Sequence, residues 1–476
     1  MKLDIQLSGS AAALVSLALN LGDPYSASAV HVIAAGKVRR KLEEIMFSKR
    51  RDALALARWE HTPASVLEAL CGASDEAIVV RLDKNQNTPA QAISKLYVAE
   101  SLGSKRLSSK SGSGLTVLVA QHRHASLAVL KSIAQFESDE ASLLAVSKNL
   151  AANSEVLSML LSRFESSSIL EALQKNISEH PSTSPQLLEQ LYDKGDVYVK
   201  AAVIGHTNCS QRLIDQAVQE ESVLIQRQLA ADRRLSNEVI SRLSLHQDKS
   251  VRCSVASNLS ASKDVIKSLA TDDSDVVRRA VASRSDLTAH SINSLINDPD
   301  VWVRQKLARN SIVPYRVLAK LSQDLQADVR RGVARNAKCS VKLLRVLAQD
   351  EDYWVRSAVA YQRRAPKQLL VELAEDTAVD VLSGVANNPN TPQKLLKKLT
   401  ASTEADVRRG VILNQSAKRL TLLPLLEDAY YLHRLMLVAN TKLKDKDKWH
   451  LCFDPDFQVR FTAFRYFANS FIKSSY

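Results

Sequence analysis

The chain has 476 residues, 45% hydrophobic and 24% charged, with a formal charge of +13, 5% aromatics, 12 Gly and 12 Pro. This much apolar content with so few turn-forming and aromatic residues argues against a β-rich fold and for an Ala/Leu/Val-rich helical stack. Cys71, Cys209, Cys253, Cys339 and Cys452 are widely scattered, which argues against a disulfide framework or a cysteine-bound metal and for a reducing compartment.

Residues 1–45 read as an N-terminal helical cap. Its basic residues, Lys37, Arg39, Arg40, Lys41, then Lys49, Arg50 and Arg51, read as a solvated face. The apolar run Ala11 to Leu21 follows Asp4 and lacks a basic leader, so no secretory signal is expected. No run reaches the roughly 18 to 20 apolar residues of a membrane span, and the reading is a soluble, cytoplasmic protein. Residues 46–98 hold the first two copies of a repeat, around Ala53 and Val79, 26 apart, with Thr62-Pro63 and Thr88-Pro89 at matching places. Residues 99–115 are rich in Ser and Gly and read as an inserted flexible loop. From 116 to 452 the repeat resumes, loosely at Thr116, Ser147 and Gln174, then at a fixed step of 26 through Lys200, Gln226, Arg252, Arg278, Arg304, Arg330, Arg356, Leu382, Arg408 and Arg434. Residues 453–476 carry the last copy, anchored at Arg460, in which Phe453, Phe457, Phe461, Phe464, Tyr466, Phe467 and Phe471 are expected to close the terminal core as a capping repeat.

The copy from Asp328 to Ala348 shows what each position does. Four residues before the anchor stands a helix N-cap: Asp196, Asp248, Ser274, Asp300, Asp352 and Asp456. Apolar residues one before and three after the anchor, such as Val329 and Val333, share a face, and Ala follows where packing needs a small side chain. Asn six after the anchor (Asn258, Asn310, Asn336, Asn388, Asn414, Asn440) is expected to end the helix in a left-handed conformation. Thr391-Pro392 then supplies an N-cap and a first-turn Pro for a shorter second helix, while Val313-Pro314 and Ala365-Pro366 keep only the Pro. The second helix is marked by Leu343, Leu344 and Leu347 and by their counterparts in later copies. Helices this short are marginal alone, so stacking must stabilise them, and the expected fold is an all-α solenoid of about sixteen two-helix repeats.

The pattern Asp-x-x-x-Val-Arg-x-x-Val-Ala-x-Asn-x-x-Thr-Pro-x-x-Leu-Leu-x-x-Leu resembles the leucine-rich repeat variant family, a relative in style of HEAT repeats. The resemblance covers residues 170 to 470 well and 53 to 96 fairly. It implies alternating α- and 3₁₀-type helices in a right-handed superhelix, so the second helix is expected to be 3₁₀ in part. The clustered cysteines that hold an iron-sulfur centre in some members are missing, and no cofactor is expected.

The repeated anchor arginines invite a reading as a ladder of phosphate contacts, but an Arg beside an Asp of the adjacent layer more simply bridges repeats. Charge is regional: residues 301 to 420 carry 22 Lys plus Arg against 11 Asp plus Glu. Arg316, Lys320, Lys342, Arg345, Lys367, Lys394, Lys397 and Lys398 recur on second helices, at spacings that give one face and, by stacking, a stripe. Arg309, Arg331, Arg335, Arg363, Arg364 and Arg409 follow the first helix or flank its anchor. Such a surface attracts polyanions, although a merely soluble charged face is the plain alternative. Trp302 and Trp354 share a repeat position and, with a carboxylate and the stripe, resemble loosely the Trp/Asp-lined surfaces of HEAT-like DNA glycosylases. His122 and His124 are two apart with no completing ligand set, so no metal site is expected. The leading reading is a non-catalytic scaffold whose basic stripe meets an acidic protein partner. A nucleic-acid-binding solenoid is the alternative, and a base-excision type of enzyme the weakest.

Overall fold

The computed structural model describes residues 75–101 and 115–466, excepting Ser166, Phe457, Phe461, Phe464 and Arg465, together with scattered positions between Ala53 and Cys71. The cap of residues 1–45, residues 102–114 of the loop expected at 99–115, and Phe457, Phe461, Phe464, Phe467 and Phe471 lie outside the described residues, while the ends of that loop belong to the helices Ala90–Ser101 and Leu115–Gln121. The chain divides into two compact units, one running to Leu229 and one of Ala230–Tyr466. Every regular element described is helical, and in the second unit longer first helices alternate with shorter second helices.

In the second unit, first helices such as Val301–Arg309, Ala327–Arg335, Tyr353–Tyr361, Val379–Asn387 and Ala405–Leu413 pack on one another in succession. Their apolar stripe is dry: Val329 and Val333 are fully buried, as are Val355 and Val359 one repeat on. Second helices Tyr315–Leu321, Val341–Leu347, Lys367–Leu373 and Gln393–Leu399 cover that stripe, with Leu343, Leu344 and Leu347 buried beneath. These seven-residue segments are α-helical rather than 3₁₀, and 3₁₀ geometry is confined to Leu423–Glu427 and Trp449–Phe453 among the described residues. In the first unit Ala53, Ala57, Leu67, Leu70, Ile78 and Leu82 form one buried cluster, so the copies at Ala53 and Val79 share a core.

The N-caps form as their residue types dictate. Asp300 accepts from Val303 N–H at 2.9 Å and Asp352 from Trp354 N–H at 2.8 Å, whereas Ser274 makes no such bond. The closing Asn is extended, not left-handed: Asn336 has φ −69° and ψ 129°. Its side chain is needed elsewhere. The Asn336 amide donates across the repeat boundary to Ala308 O at 2.7 Å and Asn310 O at 2.9 Å, while its oxygen accepts from Lys338 N–H at 2.8 Å. Asn310, Asn388 and Asn414 repeat the arrangement, with Arg284 and Gln362 in equivalent places. In the first unit imidazoles take this post, His180 Nε2 lying 2.9 Å from Asn149 O and His206 Nε2 2.9 Å from His180 O. In each, Nδ1 accepts a backbone N–H, so the proton sits on Nε2.

Two more expectations need correction. The copy placed at Ser147 sits four residues earlier, because the helix Glu140–Lys148 ends at Asn149, whose amide takes Ala120 O and His122 O in the cross-repeat role. Thr391 does not cap the second helix; its buried hydroxyl donates back to Val385 O at 2.5 Å and Pro392 itself holds the N-cap position. The expected arrangement exists at Ser184, which caps through Leu187 N–H ahead of Pro185.

First helices approach closely enough for glycine to matter. A Cβ on Gly410 would lie 2.8 Å from Ala386 Cβ and 2.9 Å from Ser383 O, whereas one on Gly205 would meet nothing nearer than Gln228 Oε1 at 3.6 Å. Gly410→Ala is therefore expected to destabilise by about 1–3 kcal/mol despite the better helix former, whereas Gly205→Ala should be neutral or stabilising by up to about 1 kcal/mol. Paired thermal melts check both, and equal shifts would refute the close contact at Gly410.

Candidate binding surface

The anchor arginines are consumed internally. Arg252, Arg278, Arg304, Arg330 and Arg356 each clamp a carboxylate twenty residues on, at Asp272, Asp298, Asp324, Asp350 and Asp376, through Nε and Nη2 at 2.6 to 3.1 Å. The third nitrogen turns to the backbone: Arg330 Nη1 donates to Asp324 O at 2.9 Å and Leu325 O at 3.1 Å. Each Asp also ties the start of the next repeat, as Asp350 does by accepting from Asp352 N–H at 3.0 Å. Where Leu382 replaces the anchor, Ser402 stands in the carboxylate's place. Burial pushes the Asp324 carboxyl up, but the Arg304 guanidinium and the Gln326 N–H outweigh it and hold it below the usual range. The ladder is thus a bridge between repeats, and these cations do not face a ligand.

The other basic residues fall on two faces. A second helix buries the side that meets its first helix, so its outer side and that of the first helix point away from each other. Arg316, Lys320, Lys342, Arg345, Lys367, Lys394, Lys397 and Lys398 are all exposed on second helices. Lys398 approaches Glu375 at 3.6 Å between two exposed side chains, a weak pair. The remaining seven make no ion pair or side-chain hydrogen bond among the described residues.

Arg309, Arg331, Arg335 and Arg409 lie instead on the outer side of first helices, Arg331 half-buried and the others exposed. Arg331 pairs with Asp328 and Arg409 with Asp406, the latter at 3.0 Å, each on its own helix. Arg309 and Arg335 make no such pair among the described residues. Arg363 and Arg364 occupy the turn between helices, where Arg364 donates to Ala337 O at 3.0 Å and Arg363 reaches Gln415 Oε1 at 3.3 Å. The exposed cations thus divide between second helices, first helices and the turn that holds Arg363 and Arg364.

Exposed aromatic residues stand mainly on first helices, with Tyr315 exposed on a second helix. Trp302 and Trp354 are 46% and 43% exposed, too open to be core residues, and Tyr361 is 50% exposed. Trp302 and Arg309 are seven apart on one helix, as are Trp354 and Tyr361 on another, so each pair shares a side two turns apart. That spacing is legible in the sequence, whereas the exposure of the rings depends on packing. In the first unit the same face, across helices Leu170–Glu179 and Val197–Gly205, forms a groove of about 1040 Å³ floored by Ala201, Ala202 and Gly205. Lys175 stands among Glu171, Glu179 and Asp196 at its edge, so this groove is not basic.

His122 and His124 serve the backbone, His122 Nε2 lying 3.1 Å from Asn85 O and His124 Nδ1 2.9 Å from Thr88 O. Among the described residues no group of three or more His, Cys, Asp and Glu side chains is placed to hold a metal ion. Nor is any described helix long and apolar enough to cross a membrane. The fold and surface define an all-α, repeat-built architecture consistent with a generic α-solenoid. No family model matches the chain, and no curated protein matches it.

Proposed function

We propose that this protein is a non-catalytic repeat scaffold that holds an acidic protein partner on the basic surface of residues 301–420. The observation that carries this is a contrast within the same repeats: the anchors are neutralised by aspartates, while the second-helix cations stand exposed and, Lys398 apart, without carboxylate partners among the described residues. Leaving so many like charges unpaired on aligned helices costs self-repulsion that a complementary acidic surface relieves. The reading retains the leucine-rich repeat variant resemblance, a right-handed array of about sixteen repeats, a cytoplasmic setting, and the segmentation into 1–45, 46–98, 99–115, 116–452 and 453–476.

One observation favours the nucleic-acid alternative: Arg316, Lys320, Lys342, Arg345, Lys394 and Lys397 present charge with little aromatic surface, which suits phosphate contact without base stacking. Binding of the purified protein to polyglutamate and to labelled duplex and single-stranded DNA and RNA, across a salt series, separates the two. The scaffold reading expects polyglutamate binding that weakens with salt, falls by about tenfold in K342A/R345A/K394A/K397A, and leaves helicity unchanged. Tight nucleic-acid binding with a steep salt slope, lost in the same variant, would replace it with the alternative.

A further inference from the structure

The first-helix face of the second unit carries a cluster that neither the ladder nor the second-helix cations use. Arg309 and Arg335 hold the same repeat position on neighbouring helices, Val301–Arg309 and Ala327–Arg335. Gly332 lets those helices close: a Cβ there would lie 3.0 Å from Ala308 Cβ and 3.4 Å from Arg309 Cγ. Arg331 stands one turn before Arg335, so three guanidinium side chains rise around one glycine, and the carboxylate among them, Asp328, is taken by Arg331. The crowding is electrostatically felt, since burial and then the Arg331 and Arg309 charges depress the Arg335 pKa. Trp302 stands on the helix of Arg309, and Trp354 and Tyr361 on the helix that follows Arg335, so exposed rings flank the cluster on both sides.

We infer that this face holds an extended acidic peptide segment of a partner protein, its carboxylates on Arg309 and Arg335 and its apolar side chains against Trp302, Trp354 and Tyr361. The inference rests on the scaffold reading and adds a site on the first helices, apart from the second-helix cations. Arginine forks bind carboxylates bidentately, and exposed tryptophans supply rigid apolar contact. The spacing agrees. Neighbouring packed helices lie about 8–10 Å apart, and a polyproline II segment advances about 9.3 Å every three residues, so acidic residues three apart reach successive arginines. A nucleic acid fits less well. Asp328, Asp380 and Asp406 hold the repeat position that Trp302 and Trp354 hold elsewhere, so a continuous phosphate chain along this face would meet a carboxylate at repeated intervals.

The test uses the full chain and fluorescence anisotropy with three labelled probes: a peptide of four Glu-Pro-Leu triplets, its Lys-Pro-Leu counterpart, and an oligothymidylate. The glutamate peptide is expected to bind best, to lose about tenfold or more in R309Q/R335Q, and to lose severalfold in W302A/W354A, with helicity unchanged. R309K/R335K, which keeps the charge but not the fork, should also weaken it. Absence of binding, equal binding of the lysine peptide, stronger binding of the oligothymidylate, or indifference to R309Q/R335Q would each overturn the site. If K342A/R345A/K394A/K397A loses the glutamate peptide and R309Q/R335Q keeps it, the scaffold stands and this site falls. If neither this peptide nor polyglutamate binds the unaltered protein, both readings fall.

Discussion

Replacing Asp428 by alanine should cost about 3–5 kcal/mol of stability at neutral pH, the largest loss expected of any ladder position. Its side chain is 1% exposed and accepts both arms of Arg408 at 2.7 and 3.0 Å and the Tyr430 N–H at 2.9 Å. Removing the carboxylate strands the Arg408 guanidinium in a mostly buried position, with only the Ser402 and Thr403 carbonyls left to it. The same residue makes a pH prediction. Burial pushes the Asp428 carboxyl up, but Arg408, the Tyr430 N–H and His433 outweigh it and bring it down to about 2 from its ordinary 3.8. The folded pKa is the lower one, so the stabilisation is complete above about pH 4 and is lost as pH falls towards 2. Urea titrations between pH 7 and pH 2 should show the unaltered protein weakening in that window. Asp428→Ala should start lower and lack this residue's share of the decline. A variant as stable as the parent at pH 7 would show that the ladder contributes nothing net, as replacing buried ion pairs by apolar groups sometimes does.

Asn414→Leu is the second large effect. Asn414 is fully buried, its amide donates to Ala386 O and Asn388 O at 2.7 Å each, and its oxygen accepts the Ser416 N–H at 2.7 Å. Leucine has similar bulk and no donor. Backbone groups in a closed turn would then lose their partner, at about 1–3 kcal/mol for each group left unsatisfied, and a total near 3 kcal/mol is expected. In an array stabilised by nearest-neighbour contacts, that loss should appear first as faster amide exchange on both sides of the substituted repeat boundary. Gln restores part of the function, as Gln362 does in its own repeat by donating to Ala334 O at 2.9 Å and Asn336 O at 3.1 Å. Asn414→Gln should therefore fall between the parent and Asn414→Leu, and a leucine variant with unchanged exchange would remove the cross-repeat bond from the account.

Much of this architecture is legible in the sequence. The step of 26, the apolar pair Val329 and Val333, and the triplet Leu343, Leu344 and Leu347 fix two short amphipathic helices per repeat, because helical period alone decides which side chains share a face. The role of Arg330 as a bridge between layers is legible too, since an Arg recurring beside Asp-rich turns has a nearer partner in Asp350 than in any ligand. What local sequence could not yield was the use of atoms across repeats. Asn336 suits a left-handed helix end by its own propensities, and Thr391 suits an N-cap, yet each gives its hydrogen-bonding side chain to a carbonyl that only the fold brings near. The basic candidates split in the same way. Their charge and helical spacing belong to the sequence, whereas the separation of Arg309 and Arg335 from Lys342 and Lys394 depends on which side of each helix the core covers. The sequence by itself determined the repeat and its helices, because a short-range pattern repeated many times needs no distant information. Only the tertiary structure decided which polar groups are spent between repeats and which remain outside, because that depends on burial and on atoms brought together across the repeat boundary.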